Sequence, residues 1–134
     1  MSYRIYDAAG FANRIANNEQ AFFADIMANP GTDKAGIRLR LSKAENLTTE
    51  LLSVLEERRL IVCAYDTSGN PFYWEPGAWA QAIFSKRADA RTWLANNSGN
   101  TVAQLASALG VHEAIANALA EGLRSEGKAR LIPV

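Results

Sequence analysis

Apolar positions recur along this chain at helical spacing in several stretches and alternate at period two in one. Near the N-terminus, Phe11, Ile15, Phe22, Ile26 and Met27 predict the buried face of two helices, Asp7–Asn17 and Glu19–Asn29. Leu47, Leu51, Val54 and Leu55 mark one stripe of a helix from about Lys43 to Arg58, opened by Ser42 and Glu45 in capping-box spacing. A hairpin is predicted from Leu60–Tyr65 and Phe72–Glu75 around the turn Asp66-Thr-Ser-Gly-Asn70. Gly77–Asn97, rich in Ala, predicts one helix or two meeting near Ser85. Val102, Leu105, Ala106 and Leu109 then form a short helix broken by Gly110. A last helix, about His112 to Ser125, buries Ile115, Ala118, Leu119, Gly122 and Leu123, and Ala129–Val134 reads as a terminal strand.

Shifting the chain by 68 residues superimposes two of these patterns without a gap. Ile37 meets Leu105, Leu41 meets Leu109, Leu47 meets Ile115, Leu51 meets Leu119 and Leu55 meets Leu123. Asn29-Pro-Gly31 falls over Asn97-Ser-Gly99, while Arg59-Leu-Ile61 and Arg130-Leu-Ile132 match at a shift of 71. One segment conflicts with the repeat: Ile37-Arg-Leu-Arg-Leu41 alternates apolar and basic, as a strand would. The register match favours a helix there, and a strand over 36–41 would remove the first helix pair. The repeat divides the chain into 1–76 and 77–134, with 77–97 connecting the halves.

Composition narrows the function. The 134 residues carry 14 basic and 14 acidic side chains, with 49% hydrophobic content, so a folded core is expected and no global field draws the chain to nucleic acid or membrane. No apolar run approaches a membrane span, and a lone Cys63 with no leader-like segment fits a cytoplasmic protein. One His and one Cys cannot build a common zinc site, and phosphate-loop, dinucleotide and nucleophile-elbow motifs are absent. A non-enzymatic protein without metal or cofactor is expected.

The residues Thr101–Leu109, Gly110-Val111 and Ile115–Gly127 resemble the winged helix-turn-helix superfamily, with a Leu-Ala-x-x-Leu-Gly-Val core. Leu51–Val62, running into the hairpin, resembles the end of a recognition helix entering a wing. The resemblance implies a mostly α fold with a small β wing, two such modules in tandem, and a shortened second wing. It further implies a transcriptional regulator that occupies a double-stranded DNA site. On that reading Asn46, Thr49 and Ser53 face base edges from the first recognition helix, and Lys34, Arg38, Arg40 and Lys43 anchor phosphates. The second module offers Asn117, Arg124, Lys128 and Arg130, beside an outward Glu113, Ala120 and Glu121. Divided after Ser85, the chain has 8 basic and 10 acidic residues, then 6 and 4, so neither half has a strong basic footprint.

The rival expectation is a protein-interaction module on the same scaffold without DNA, an assembly subunit or small inhibitor. The neutral total charge, Glu50, Glu57, Glu113 and Glu121 on the two reading faces, and a wing tip without Lys or Arg favour it. Its surface, or that of a homodimer, would use Leu39 with Tyr73 or Trp74. His112 is expected to cap a helix as a neutral imidazole, and Cys63 to pack as a small hydrophobe.

Overall fold

The computed structural model describes residues 2–3 and 5–133; Val134 of the predicted terminal strand lies outside them. Six helices and one hairpin follow in order: α1 (Ala8–Ala28), α2 (Lys34–Leu41), α3 (Glu45–Glu57), β1 (Val62–Tyr65), β2 (Pro71–Trp74), α4 (Pro76–Asn96), α5 (Val102–Leu109) and α6 (Glu113–Ser125). The fold is mostly helical with a small antiparallel sheet.

The repeat extends through the whole helical backbone. Each of α4, α5 and α6 starts and stops 68 residues after α1, α2 and α3, respectively. Their ends are built alike: Asp7 and Glu75 cap α1 and α4 through a carboxylate, and Asp33 and Thr101 cap α2 and α5 through a side-chain oxygen. The left-handed residue closing α2 is Ser42 (φ 52°), and Gly110 (φ 65°) closes α5 at the matching place. Residues 37–41 are therefore helical, and the basic positions alternating with apolar ones do not make a strand.

The two helical triplets have separate cores, and the hairpin lies between them. Ile15, Phe22, Ile26, Ile37, Leu51, Leu52 and Leu55 fill the first core, and Ala90, Leu105, Ala106, Ala114, Ile115, Ala116, Leu119 and Leu123 the second. Val62 pairs with Trp74 and Cys63 with Tyr73 across the hairpin. Because successive strand residues point to opposite faces, Cys63 and Tyr73 join the first core while Val62, Ala64, Phe72 and Trp74 join the second. A bridge from Thr32 adds to β2: Gly31 N–H donates to Tyr73 C=O at 2.9 Å, and Tyr73 N–H to Thr32 C=O at 2.8 Å.

Several expectations are corrected. The N-terminal segment is one helix, because the Asn18 amide donates to Arg14 C=O (2.9 Å) and no helix breaker interrupts the chain. Ser42 and Glu45 form no capping box: Ser42 ends α2, and α3 begins after Ala44, which has no side-chain cap. Residues 129–133 form no strand, since no neighbouring strand is there to pair with them. Tyr73 and Trp74 are 7% and 2% exposed, so neither is available to a partner; each face of the hairpin is buried in one core.

Candidate nucleic-acid interface

The outer face of α3 carries the row predicted from the sequence. Thr48, Leu51, Leu52 and Leu55 are buried, and Asn46, Thr49 and Ser53 lie exposed on the opposite side at helical spacing. The buried stripe is rotated slightly from the expected one, leaving Leu47 and Val54 half-buried. That rotation turns Glu50 toward α1, where it pairs with Arg14 at 3.4 Å and accepts from the Tyr6 hydroxyl. One carboxylate expected on the reading face is thus withdrawn from it. Glu45 and Glu57 remain exposed at the two ends of the helix.

The basic residues of α2 divide into two groups. Lys34 stands beside the row, its ammonium 3.3 Å from Glu45 Oε1 and 3.4 Å from Thr49 Oγ1. Arg38 and Lys43 are half-buried. Arg40 is turned away: its guanidinium donates to both Asp25 carboxylate oxygens, at 2.8 and 2.9 Å, and this hydrogen bonding raises its pKa. Arg40 therefore serves to tie α2 to α1 in this structure. Leu39, next to it, is 83% exposed.

On α6 the matching surface is occupied. Glu113, in its first turn, accepts from Thr67 N–H at 3.0 Å and from the Thr67 hydroxyl. Asn117, one turn on, donates to Tyr65 C=O at 3.2 Å. The hairpin tip thus lies across the residues that would face a groove, and Ala120 is buried rather than outward. Arg124 pairs with Glu121 at 2.8 Å within the helix, while Lys128 and Arg130 are exposed beyond its end. The structure does not bring the second group of predicted residues into one reading face.

His112 sits where the two triplets and the hairpin meet. Its Nδ1 accepts from Ala114 N–H at 3.0 Å, capping α6 as an uncharged ring can. The imidazole meets Phe72 and Trp74 edge-on, with centroids 4.4 and 5.2 Å apart. Burial lowers its pKa, against the opposing pull of the Asp66 and Glu113 carboxylates. Asp66 shapes the hairpin tip by accepting from Ser68 N–H and Asn70 N–H, both at 2.9 Å, which holds its pKa below the ordinary value.

The docking of the tip on α6 is a contact between groups distant in the chain that the local sequence pattern does not announce. Its only signal was a tip without Lys or Arg and a Glu at the start of the facing helix. Among the described residues, no His, Cys, Asp and Glu cluster is placed to hold a metal ion, and no helix is long and apolar enough to cross a membrane. No family model matches the chain, and neither curated proteins nor solved structures give a match to it.

Proposed function

We propose that the protein binds double-stranded DNA through its N-terminal triplet, with α3 as the helix that enters the major groove. The observation that carries this reading is the uncovered row Asn46, Thr49 and Ser53 on a helix reached from α2 through a tight left-handed turn at Ser42. These side chains supply amide and hydroxyl groups of the kind that pair with base edges. Arg38 and Lys43 lie on the preceding helix and turn, suited to phosphates that set the register, and Lys34 joins them by exchanging its exposed pairing with Glu45 (3.3 Å) for a phosphate. Arg40 has no part in this version, being held by Asp25. The helix pair followed by a hairpin supports the resemblance to a winged helix-turn-helix module. Under this reading the second triplet is a buttress for the hairpin, and α6 does not read DNA.

Titration with mixed-sequence duplex at low and moderate salt tests the proposal. Binding should appear at low salt and weaken with added salt, since phosphate contacts release counterions. Asn46→Ala with Thr49→Ala should weaken specific binding by about tenfold or more, and Asn117→Ala should leave it unchanged. A chain that binds no duplex even at low salt refutes this function. The exposed carboxylates Glu45 and Glu57 at the ends of the row favour a second reading, a protein ligand with basic groups. Charge reversal by Lys34→Glu and Lys43→Glu separates the two: it abolishes DNA binding but strengthens the acidic surface toward a basic protein.

A further inference from the structure

The 68-residue repeat runs past the helices in both directions. After α3, Arg59 (φ 59°) turns left-handed and Leu60 N–H donates to Leu55 C=O at 2.9 Å. After α6, Gly127 (φ 73°) does the same and Lys128 N–H donates to Leu123 C=O at 2.9 Å. Ala129 then packs on the second core as Ile61 does in the first. Residues 130–133 thus take the places of β1 at a shift of 68, not the 71 of the Arg-Leu-Ile match. Upstream, Tyr3-Arg-Ile-Tyr-Asp7 falls over Pro71-Phe-Tyr-Trp-Glu75, which is β2 with the cap of α4. Tyr6 meets Phe11 with centroids 5.3 Å apart, as Trp74 meets Trp79 at 4.7 Å. The chain therefore carries a β2-like segment ahead of its first triplet and a β1-like segment behind its second. Neither has a strand partner among the described residues. In the internal joint Tyr73 reaches into the preceding triplet and Ala64 onto the following one. Their matches are Ile5, 96% exposed, and Ile132, 76% exposed.

We propose that residues 130–133 of one copy pair antiparallel with residues 3–6 of a second copy, rebuilding the β1–β2 joint between chains. The internal ladder supplies the register: Val62–Trp74, Cys63–Tyr73 and Tyr65–Pro71 become Arg130–Tyr6, Leu131–Ile5 and Pro133–Tyr3. Proline fits this register. Tyr73 turns its N–H and C=O away from β1, toward Thr32 and Gly31, so the pairs 63–73 and 65–71 exchange no ladder hydrogen bonds. Pro133 falls in a pair of that kind, as Pro71 does, and removes no bond from the ladder. In the joint Ile5 enters the second core of the copy before it, and Ile132 packs on the first core of the copy after it. Two short strands alone are marginal, so burial of these two side chains supplies the attraction and the contact is weak. It is also heterologous, tail to head, and builds open chains or a closed ring rather than a two-fold pair. The joint does not depend on DNA binding.

Complementation between two variants, followed by sedimentation equilibrium without DNA, tests the joint. The wild-type mass should rise above that of one chain between about 10 μM and about 1 mM, the range of a small interface. Ile5→Asp puts a charge on the first segment, and Ile132→Pro removes from the second a ladder N–H matching that of Ala64. Both positions are exposed, so the thermal midpoint should not change. Either variant alone should associate more weakly by about tenfold or more. Mixed, they retain one sound segment each and should form pairs and nothing larger. The register is read in a Cys63→Ala background. Chains bearing Ile5→Cys should form a mixed disulfide with chains bearing Leu131→Cys, whose side chain lies close in such a pair, and not with chains bearing Ile132→Cys, which points to the other face. A wild-type chain that stays single at about 1 mM overturns the proposal. So do variants that associate alone as well as they do mixed, or a chain with Ile5→Cys and Leu131→Cys that links only to itself. Mixed pairing without the Leu131→Cys link overturns the register.

Discussion

The helices of the two triplets begin and end at matching residues, yet the triplets expose different surfaces. After α3 the chain turns back as a hairpin, whereas after α6 it runs on through residues 128–133 without a strand partner. The one hairpin therefore completes both cores, giving Tyr73 to the first and Trp74 to the second. It also covers the first turns of α6 while leaving the corresponding face of α3 open. Matching helix bounds, in other words, do not give matching surfaces. What lies against each third helix decides which of them a ligand can reach.

The strongest way to break this comparison is to remove the side chains the hairpin gives to each core. Trp74→Ala should cost about 3–5 kcal/mol and Tyr73→Ala a comparable amount, measured by denaturant unfolding. Hydrogen exchange should then differ: Trp74→Ala exposes amides of α4–α6 first, and Tyr73→Ala those of α1–α3. If both variants loosen all six helices equally, the two cores act as one unit and the contrast between them is lost.

The matching turns give a finer test. Gly31 (φ 84°) and Gly99 (φ 92°) occupy the same place in the two triplets. Alanine is strained at either, by about 1–2 kcal/mol. At Gly31 its Cβ would also lie 3.2 Å from the His112 ring and 3.4 Å from Trp74, while at Gly99 it meets nothing within 4 Å. Gly31→Ala should therefore cost about 1 kcal/mol more than Gly99→Ala in thermal or denaturant unfolding.

The caps of the third helices differ in their response to acid. His112 caps α6 only when uncharged, and its folded pKa lies below the ordinary 6.5. The unfolded chain thus takes up this proton first as pH falls. The contribution is fully present above about pH 6.5 and is lost progressively as pH drops toward the lower folded value. Unfolding measured between about pH 7 and pH 5 should show this decline, and His112→Asn should flatten it while keeping a cap. No such dependence should arise at Ala44, the matching cap of α3, which has no titrating group.

The smallest effect concerns the left-handed turn that Ser42 and Gly110 share. Ser42→Gly should stabilise the chain by about 0.5–1 kcal/mol, and Gly110→Ser should destabilise it by a similar amount. Equal responses at the two sites, in sign as well as size, would show that the turns are not equivalent.

The positions of the six helices were largely legible because their signals are local. Apolar spacing, oxygen-bearing caps and glycine turns act over a few residues, and the shift of 68 repeats them at matching distances. The same locality made Asn46, Thr49 and Ser53 readable as an outward row, since burial of one helical face implies exposure of the other. It failed where two local readings competed. Asn17-Asn18 looks like a break but is accommodated in α1, and Ser42 fits a cap for α3 yet ends α2.

By itself, then, the amino-acid order determined the repeat over the second and third helices, the hairpin and the polar face of α3. The tertiary structure alone decided that the hairpin is shared, that α6 is covered and that Arg40 is held by Asp25. Those outcomes depend on contacts between groups far apart in the chain, such as Thr67 with Glu113 at a separation of 46 residues. A strand with apolar residues on both faces announces that both will be buried, but not what will bury them. Only packing the second triplet against the first assigns Cys63 and Tyr73 to one core and Phe72 and Trp74 to the other.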